Sequence, residues 1–199
     1  MTLMVPQAIL FDMDGTLTRP MLDFDAIKAE MGIGDRAILE AMDEMSPADR
    51  QRCEIILDRH EELAAEGSEL NENCMLVLND LRRRGLRIAL ITRNSGRSVE
   101  TVLAKHGLSF ECVIARETCT PKPDPAPLFM ACQMLGVPPA GAWMIGDGRY
   151  DIEAGQAAGI STVWVSHGKP RRFTAEPTME VSDLCELQAL VRNVFEGAK

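Results

Sequence analysis

The chain has 199 residues, 46% hydrophobic and 26% charged, with a formal net charge of -9. That is the make-up of a globular protein of one domain, or one domain with an insertion. The acid is concentrated between residues 19 and 70, where six Lys/Arg face fourteen Asp/Glu, and such a balance disfavours nucleic acid, which calls for a basic face. No apolar run approaches the roughly 18–20 residues of a bilayer span, and the first residues lack a basic, signal-like pattern. Six cysteines without close pairs argue against a zinc framework and suit a reducing compartment. The expectation is a cytoplasmic protein with no membrane or nucleic-acid partner, its oligomeric state left open.

In chain order, Ala8 to Asp12 reads as the first strand. From 19 to 70 the signals are helical: Asp25 to Met31, then a helix opened by Ser46 as N-cap and Pro47, with an apolar stripe of Ile55, Ile56, Leu57, His60 and Leu63. A helical pattern with Leu76, Leu78 and Leu81 stops at Gly85 and leads into a second strand over 86–92. A helix over 98–106 carries Val99, Val102 and Leu103 and stops at Gly107; a third strand spans 111–115. Asp124 and Pro125 open a helix to Leu135, a fourth strand covers 142–145, a helix lies near 150–158, and a fifth strand covers 161–165. A helix over 184–195 closes the chain.

Short buried strands alternating with helices predict an α/β fold: a Rossmann-like three-layer core with a parallel sheet covered on both faces. Some fifty helical residues between the first two strands exceed an ordinary crossover. They read as a small all-helical cap over 19–70, inserted after the first strand above the carboxyl end of the sheet, with 1–18 and 71–199 as the core. Open parallel sheets bind ligands at that end.

The chemistry-bearing residues all fall at strand ends. Ile9-Leu10-Phe11-Asp12-Met13-Asp14-Gly15-Thr16 runs a buried strand into two carboxylates two residues apart. Residues i and i+2 of a strand share a face, so Asp12 and Asp14 repel unless a cation or a proton lies between them. Thr92 ends the second strand, Lys122 lies in Thr-Pro-Lys-Pro-Asp-Pro, and Asp147 and Asp151 follow the fourth strand in Gly-Asp-Gly-Arg-Tyr-Asp. Carboxylates, a hydroxyl and an ammonium are the parts needed to attack, hold and neutralise a phosphoryl group.

These four motifs, in order from Asp12 to Asp151, resemble those of the haloacid dehalogenase superfamily, in the phosphoglycolate phosphatase-like branch with a small helical cap. The resemblance implies Asp12 as nucleophile of an aspartyl-phosphate and Asp14 as acid and then base. It implies phosphate contacts from Thr92, Arg93 and Lys122. It implies Mg²⁺ held by Asp12, the Asp14 backbone carbonyl and Asp147, with Asp151 acting through water or by orienting Lys122. The implied substrate is a small phosphate monoester.

The chain departs from the pattern at Arg93, where relatives often carry Asn or a small residue, and in Gly-Asp-Gly-Arg, where Gly-Asp-Ser is commoner. Arg19, Arg93 and Arg149 thus become candidates for reading an anionic leaving group, against the alternative of salt bridges to the acidic insertion. Competing functions are an intramolecular phosphate shift like that of the phosphoglucomutases, which needs a better-fitting cap, and a non-catalytic phosphoester-binding protein. Dehalogenation needs no acid at Asp14.

Overall fold

The computed structural model describes residues 4–197. Six strands, β1 (Ala8–Phe11), β2 (Arg87–Ile91), β3 (Cys112–Ile114), β4 (Ala142–Gly146), β5 (Ser161–Val165) and β6 (Met179–Val181), form one parallel sheet in the order β3-β2-β1-β4-β5-β6. Among the described residues eight α-helices accompany them: α1 (Phe24–Met31), α2 (Ile38–Asp43), α3 (Pro47–Gly67), α4 (Cys74–Arg83), α5 (Gly96–His106), α6 (Ala126–Leu135), α7 (Arg149–Ala158) and α8 (Leu184–Gly197). This is the α/β, Rossmann-like core expected. No helix among the described residues is long and apolar enough to cross a membrane.

By its contacts the chain divides into two compact units. The first comprises residues 4–20, 69–93 and 109–197 and contains the sheet. Every residue of β1 is fully buried, as a strand covered on both faces requires. Ala8, Leu10, Ala89, Ile91 and Met144 pack with Leu128, Ala131 and Ala154 of α6 and α7. The alternate residues Ile9, Phe11, Ile88 and Leu90 are equally buried, and α4 and α8 pack on each other and on β2 and β6. Gly155 lets α7 lie close to the sheet, because a Cβ there would meet Thr162 Cγ2 at 2.2 Å.

The second unit comprises Met21–Ser68 and Asn94–Leu108. Its core joins Ile27 and Met31 of α1, Ile38 and Met42 of α2, and Cys53, Ile56 and Leu57 of α3. Ser46 caps α3 by accepting the Asp49 N–H at 3.3 Å. The unit also takes in α5, which the sequence pattern groups with the sheet. The reason is polar: Lys105 Nζ donates to Ser68 O at 2.7 Å, Arg97 pairs with Glu62 at 2.6 Å, and the buried Glu61 carboxylate accepts the Ser95 N–H at 2.9 Å.

Several local details differ from expectation. The buried face of α3 is Cys53, Ile56, Leu57, Glu61 and Ala65, while Ile55 and Leu63 are 66% and 61% exposed; the i, i+3, i+4 rows select the neighbouring face. His60 is half-buried and bonds Glu30 at 2.9 Å. Leu76 is exposed, and α4 buries Cys74, Val77, Leu78 and Leu81. Helix α6 begins one residue later, with the Asp124 carboxylate accepting the Ala126 N–H at 2.8 Å. Strand β6 and helix α2 are additional elements. All six cysteines are unpaired; Cys53, Cys74, Cys112 and Cys132 are buried, Cys119 is half-buried and Cys185 exposed.

Candidate active site

Strand β1 lies between β2 and β4, where the strand order reverses and a crevice opens at the carboxyl ends. The Asp12 N–H still donates to Ile145 O at 2.9 Å, so Asp12 leaves the sheet at the level where β4 gives way to Asp147. Thr92 directly follows β2, is buried, and donates its N–H to Ile114 O at 3.0 Å. The first unit alone thus brings Asp12, Asp14, Thr92, Arg93, Lys122, Asp147 and Asp151 to one sheet edge.

Lys122 reaches this edge from the loop between β3 and α6 and is only 1% exposed. Its Nζ donates to Asp12 Oδ1 at 2.8 Å, Asp151 Oδ1 at 2.6 Å and Ile91 O at 2.7 Å, which uses all three ammonium hydrogens. Burial alone would lower its pKa, and the charges of Asp12 and Asp151 outweigh that and hold it above the ordinary lysine value. Asp151 does two jobs: its other oxygen accepts the Gly148 N–H at 3.1 Å at the start of α7. Gly146 is required beside it, since a Cβ there would lie 2.1 Å from Asp151 Cγ.

Asp12, Asp147 and Asp151 each offer an oxygen, and these oxygens lie within 4.8 Å of one another. Burial, then the charges of Asp151 and Asp147 working against Lys122, push the Asp12 carboxyl up to about 7. Burial, then Asp151 and Asp14, push Asp147 up to about 7. Two buried carboxylates and a half-buried one against one ammonium leave negative charge uncompensated. Hard oxygen donors at this spacing fit a divalent cation. The Asp14 carboxylate is outside that group, so Asp14 enters the expected metal set only through its backbone carbonyl. Gly15 has φ +85°, and a Cβ there would strike Asp147 Oδ2 at 2.3 Å; the Gly of the first motif is thus what lets the fourth motif approach.

The arginines are held differently from one another. The Arg93 guanidinium donates to the Lys122 carbonyl and lies 4.0 Å from the centre of the Tyr150 ring. Arg149 lies 4.6 Å from the same ring and donates to the Tyr150 hydroxyl at 2.9 Å. Arg116 donates to the Arg93 carbonyl at 3.5 Å. Arg19 instead pairs with Glu69 at 3.2 Å in an exposed bridge.

Sequence reasoning missed Tyr150, Trp164, Asn71 and His167. Trp164 Nε1 donates to the Asp147 carbonyl at 2.9 Å, which steadies the fourth motif from β5. Asn71 donates to the turn after Asp14. His167, at φ 49°, follows β5; burial lowers its pKa while a hydrogen bond with the Gly15 backbone raises it. Its Nε2 and the Thr16 hydroxyl are buried atoms without a hydrogen-bond partner among the described residues. No spacing rule announces such contacts: Trp164, Asn71 and His167 join distant segments through backbone atoms, and Tyr150 meets the Arg93 guanidinium through its ring.

The family model of haloacid dehalogenase-like hydrolases matches residues 19–165. A phosphoglycolate phosphatase of Pseudomonas syringae pv. tomato is 32% identical over 216 aligned positions, covering 92% of this chain and 79% of that protein. An N-acetylmuramic acid 6-phosphate phosphatase of Pseudomonas putida is 32% identical over 187 positions, covering 81% and 83%. Among solved structures, a hydrolase from Pseudomonas syringae superposes with a TM-score of 0.81 at 17% identity, covering 94% of this chain and 98% of that one; at that identity the likeness is one of fold. The matched span, the relatives' similarity over most of the chain and the shared architecture make the chain a member of the haloacid dehalogenase-like hydrolases, an enzyme of the phosphatase type.

Proposed function

We propose that this chain hydrolyses a small organic phosphate monoester, of the size of phosphoglycolate, through an aspartyl-phosphate on Asp12 and with Mg²⁺ as cofactor. The observation that carries this reading is the buried Lys122, which bridges Asp12 and Asp151 while Asp147 completes a carboxylate cluster. The relatives named for phosphoglycolate and for N-acetylmuramic acid 6-phosphate support an ester of a small alcohol.

An Asp12 carboxylate oxygen attacks phosphorus and the bond from phosphorus to the ester oxygen breaks. Asp14 gives its proton to the departing alkoxide. Water then attacks the same phosphorus, Asp14 takes its proton, Asp12 is released and orthophosphate leaves. Lys122 offsets charge on Asp12 and on the phosphoryl oxygens, with Thr92 and Arg93 donating to those oxygens. Asp12, the Asp14 carbonyl and Asp147 would hold the ion; Asp151, whose two oxygens accept from Lys122 and from the Gly148 N–H, would reach it through water or orient Lys122. Bound Mg²⁺ supplies positive charge that lets a carboxylate approach an anionic phosphate. Residues 19–70 act as the cap, and Arg19, Arg93 and Arg149 are the specificity candidates. The unpaired cysteines fit a cytoplasmic setting.

The test is a panel of alkyl and sugar phosphates assayed with and without Mg²⁺, with Asp12→Asn as the blank. Metal-dependent phosphate release that vanishes in Asp12→Asn is the expected result. Equal activity in the variant removes the nucleophile. Accumulation of a phosphorylated sugar isomer without free phosphate replaces hydrolysis by phosphate transfer, and binding without turnover replaces it by a carrier role.

A further inference from the structure

The turn that follows Asp14 is wound around two acceptor and donor hubs. From inside, the Met13 carbonyl, between the two motif aspartates, accepts the N–H groups of Thr16 at 3.3 Å, Leu17 at 2.9 Å and Thr18 at 3.0 Å, and the Thr18 hydroxyl at 3.2 Å. From outside, four successive carbonyls end on one residue. Asn71 Nδ2 donates to Gly15 O at 3.3 Å, Thr16 O at 2.8 Å and Thr18 O at 3.0 Å, and the Asn71 N–H donates to Leu17 O at 2.8 Å. The Gly15 N–H closes the loop onto Thr18 O at 2.9 Å. Asn71 stands just beyond the point where the chain returns from the helical unit, beside the Arg19 N–H to Glu69 O bond of 2.8 Å and the Thr18 to Leu70 bridge.

Carbonyl oxygens that converge repel one another, and a half-buried group left unsatisfied carries a desolvation penalty. The Asn71 amide is the donor that lets these carbonyls face one point. Without it the turn has reason to open, and the first residue to swing is Asp14, at its start.

We infer that Asn71 is a positioning residue for Asp14: by gathering the Gly15–Thr18 carbonyls it sets the direction from which Asp14 delivers its proton to the leaving group. This rests on the phosphatase reading above and assigns to it a determinant outside the four motifs. Asn71 touches neither substrate nor reacting atoms in this role.

The leaving group separates positioning from general damage. Departure of p-nitrophenolate needs no proton, whereas an alkoxide does. The comparison is kcat/KM on p-nitrophenyl phosphate and on whichever alkyl phosphate the unaltered protein turns over fastest, both with Mg²⁺. A well-placed general acid contributes about 10²- to 10⁴-fold, and a misplacement of about 1 Å costs on the order of 10²-fold. Asn71→Ala is expected to lose about 100-fold on the alkyl ester and less than about 5-fold on the aryl ester. Asn71→Asp, which turns an acceptor toward the carbonyls, is expected to lose at least as much, and Asn71→Ser, which keeps a short donor, to retain most of the alkyl rate. Circular dichroism melts select the folded variants, and either Asn71→Ala or Asn71→Asp carries the comparison. Equal losses on both esters, or no loss on either, overturn the assignment. An unaltered protein that hydrolyses no phosphate ester removes the phosphatase reading itself, and this role with it.

Discussion

Lys122 Nζ and Asp151 Oδ1 lie 2.6 Å apart, both buried, and the same carboxylate caps the first turn of α7. The cation that faces Asp12 is thereby fastened to a helix before any substrate arrives. Removing one partner of a buried pair leaves an uncompensated charge, at a cost of about 3–5 kcal/mol when nothing else compensates. In Lys122→Met the carboxylates of Asp12 and Asp151 lose their shared counter-ion. That variant is expected to lose phosphatase activity and to melt well below the unaltered protein in EDTA. Mg²⁺ should raise its Tm more than it raises that of the unaltered protein, because the ion then compensates charge that Lys122 otherwise covers. Differential scanning fluorimetry across a Mg²⁺ titration checks this; identical shifts in both proteins count against the charge argument.

The raised carboxyls make metal binding pH-dependent. Asp12 and Asp147 titrate in the folded metal-free protein near pH 7, above their unfolded values. The folded state therefore holds more protons than the unfolded state between about pH 4 and 7, and the stability they lend falls as pH rises through that window. A dication competes with those protons. The Mg²⁺-induced rise in Tm should be small at pH 5.5, grow through pH 7 and level off above it. A shift independent of pH would show that these carboxylates do not hold the ion.

Asp80 has the opposite sign. Hydrogen bonds from Arg84, Gln188 and Arg83 hold its carboxyl down to about 2 against its burial. Its contribution is present above its unfolded value and is lost as pH falls from about 4 toward 2. Asp80→Asn is expected to cost about 1 kcal/mol at pH 7, because the pair is largely shielded, and almost nothing at pH 2. Urea titrations at the two pH values measure the difference. Gln188 lies on α8, so the bond also ties the last helix to α4.

Gly155 is a packing requirement. Gly155→Ala sets a methyl against Thr162 Cγ2, whose distance of 2.2 Å forces a shift, and overpacking of this kind costs about 1–3 kcal/mol. Thr162→Ser removes that methyl and keeps the hydroxyl that accepts the Thr178 N–H at 3.0 Å. The double variant should regain most of the lost stability, a coupling readable from a thermodynamic cycle. Additive losses would move the cause elsewhere on α7.

The arginines divide by what holds them. Arg93 and Arg149 meet on Tyr150, whereas Arg19 is tied to Glu69 on the surface. Arg93→Ala is expected to change the ranking of carboxylate-bearing and neutral phosphate esters by about tenfold, as loss of one charged hydrogen bond implies. Arg19→Ala should leave that ranking nearly intact. kcat/KM across a matched panel decides it; an unchanged ranking in both variants removes the arginines from leaving-group recognition.

The strand-end motifs were legible because a parallel sheet sends every carboxyl end to one edge, so residues far apart in sequence sort themselves by strand alone. Asp12, Thr92 and Asp147 follow directly from that rule. The affiliation of α5 was not legible, because its bond to α3 runs through Glu61, a charged residue that an apolar-period reading assigns to water. Strand β6 is three residues long and α2 six, too short for periodicity to register. Asn71 and His167 act through backbone atoms of a turn more than fifty residues away, and only the folded chain brings them there.

The four buried cysteines give the protein a record of its own opening. Burial pushes the Cys74 thiol up to about 12 and the Cys132 thiol up to about 11, so at neutral pH neither offers a reactive thiolate while the chain is folded. Cys53 lies in the core of the helical unit, and Cys112 of β3 and Cys132 of α6 share the core of the sheet-bearing unit. Timed alkylation followed by peptide mapping would therefore date the exposure of each unit separately, without an added label or an engineered probe.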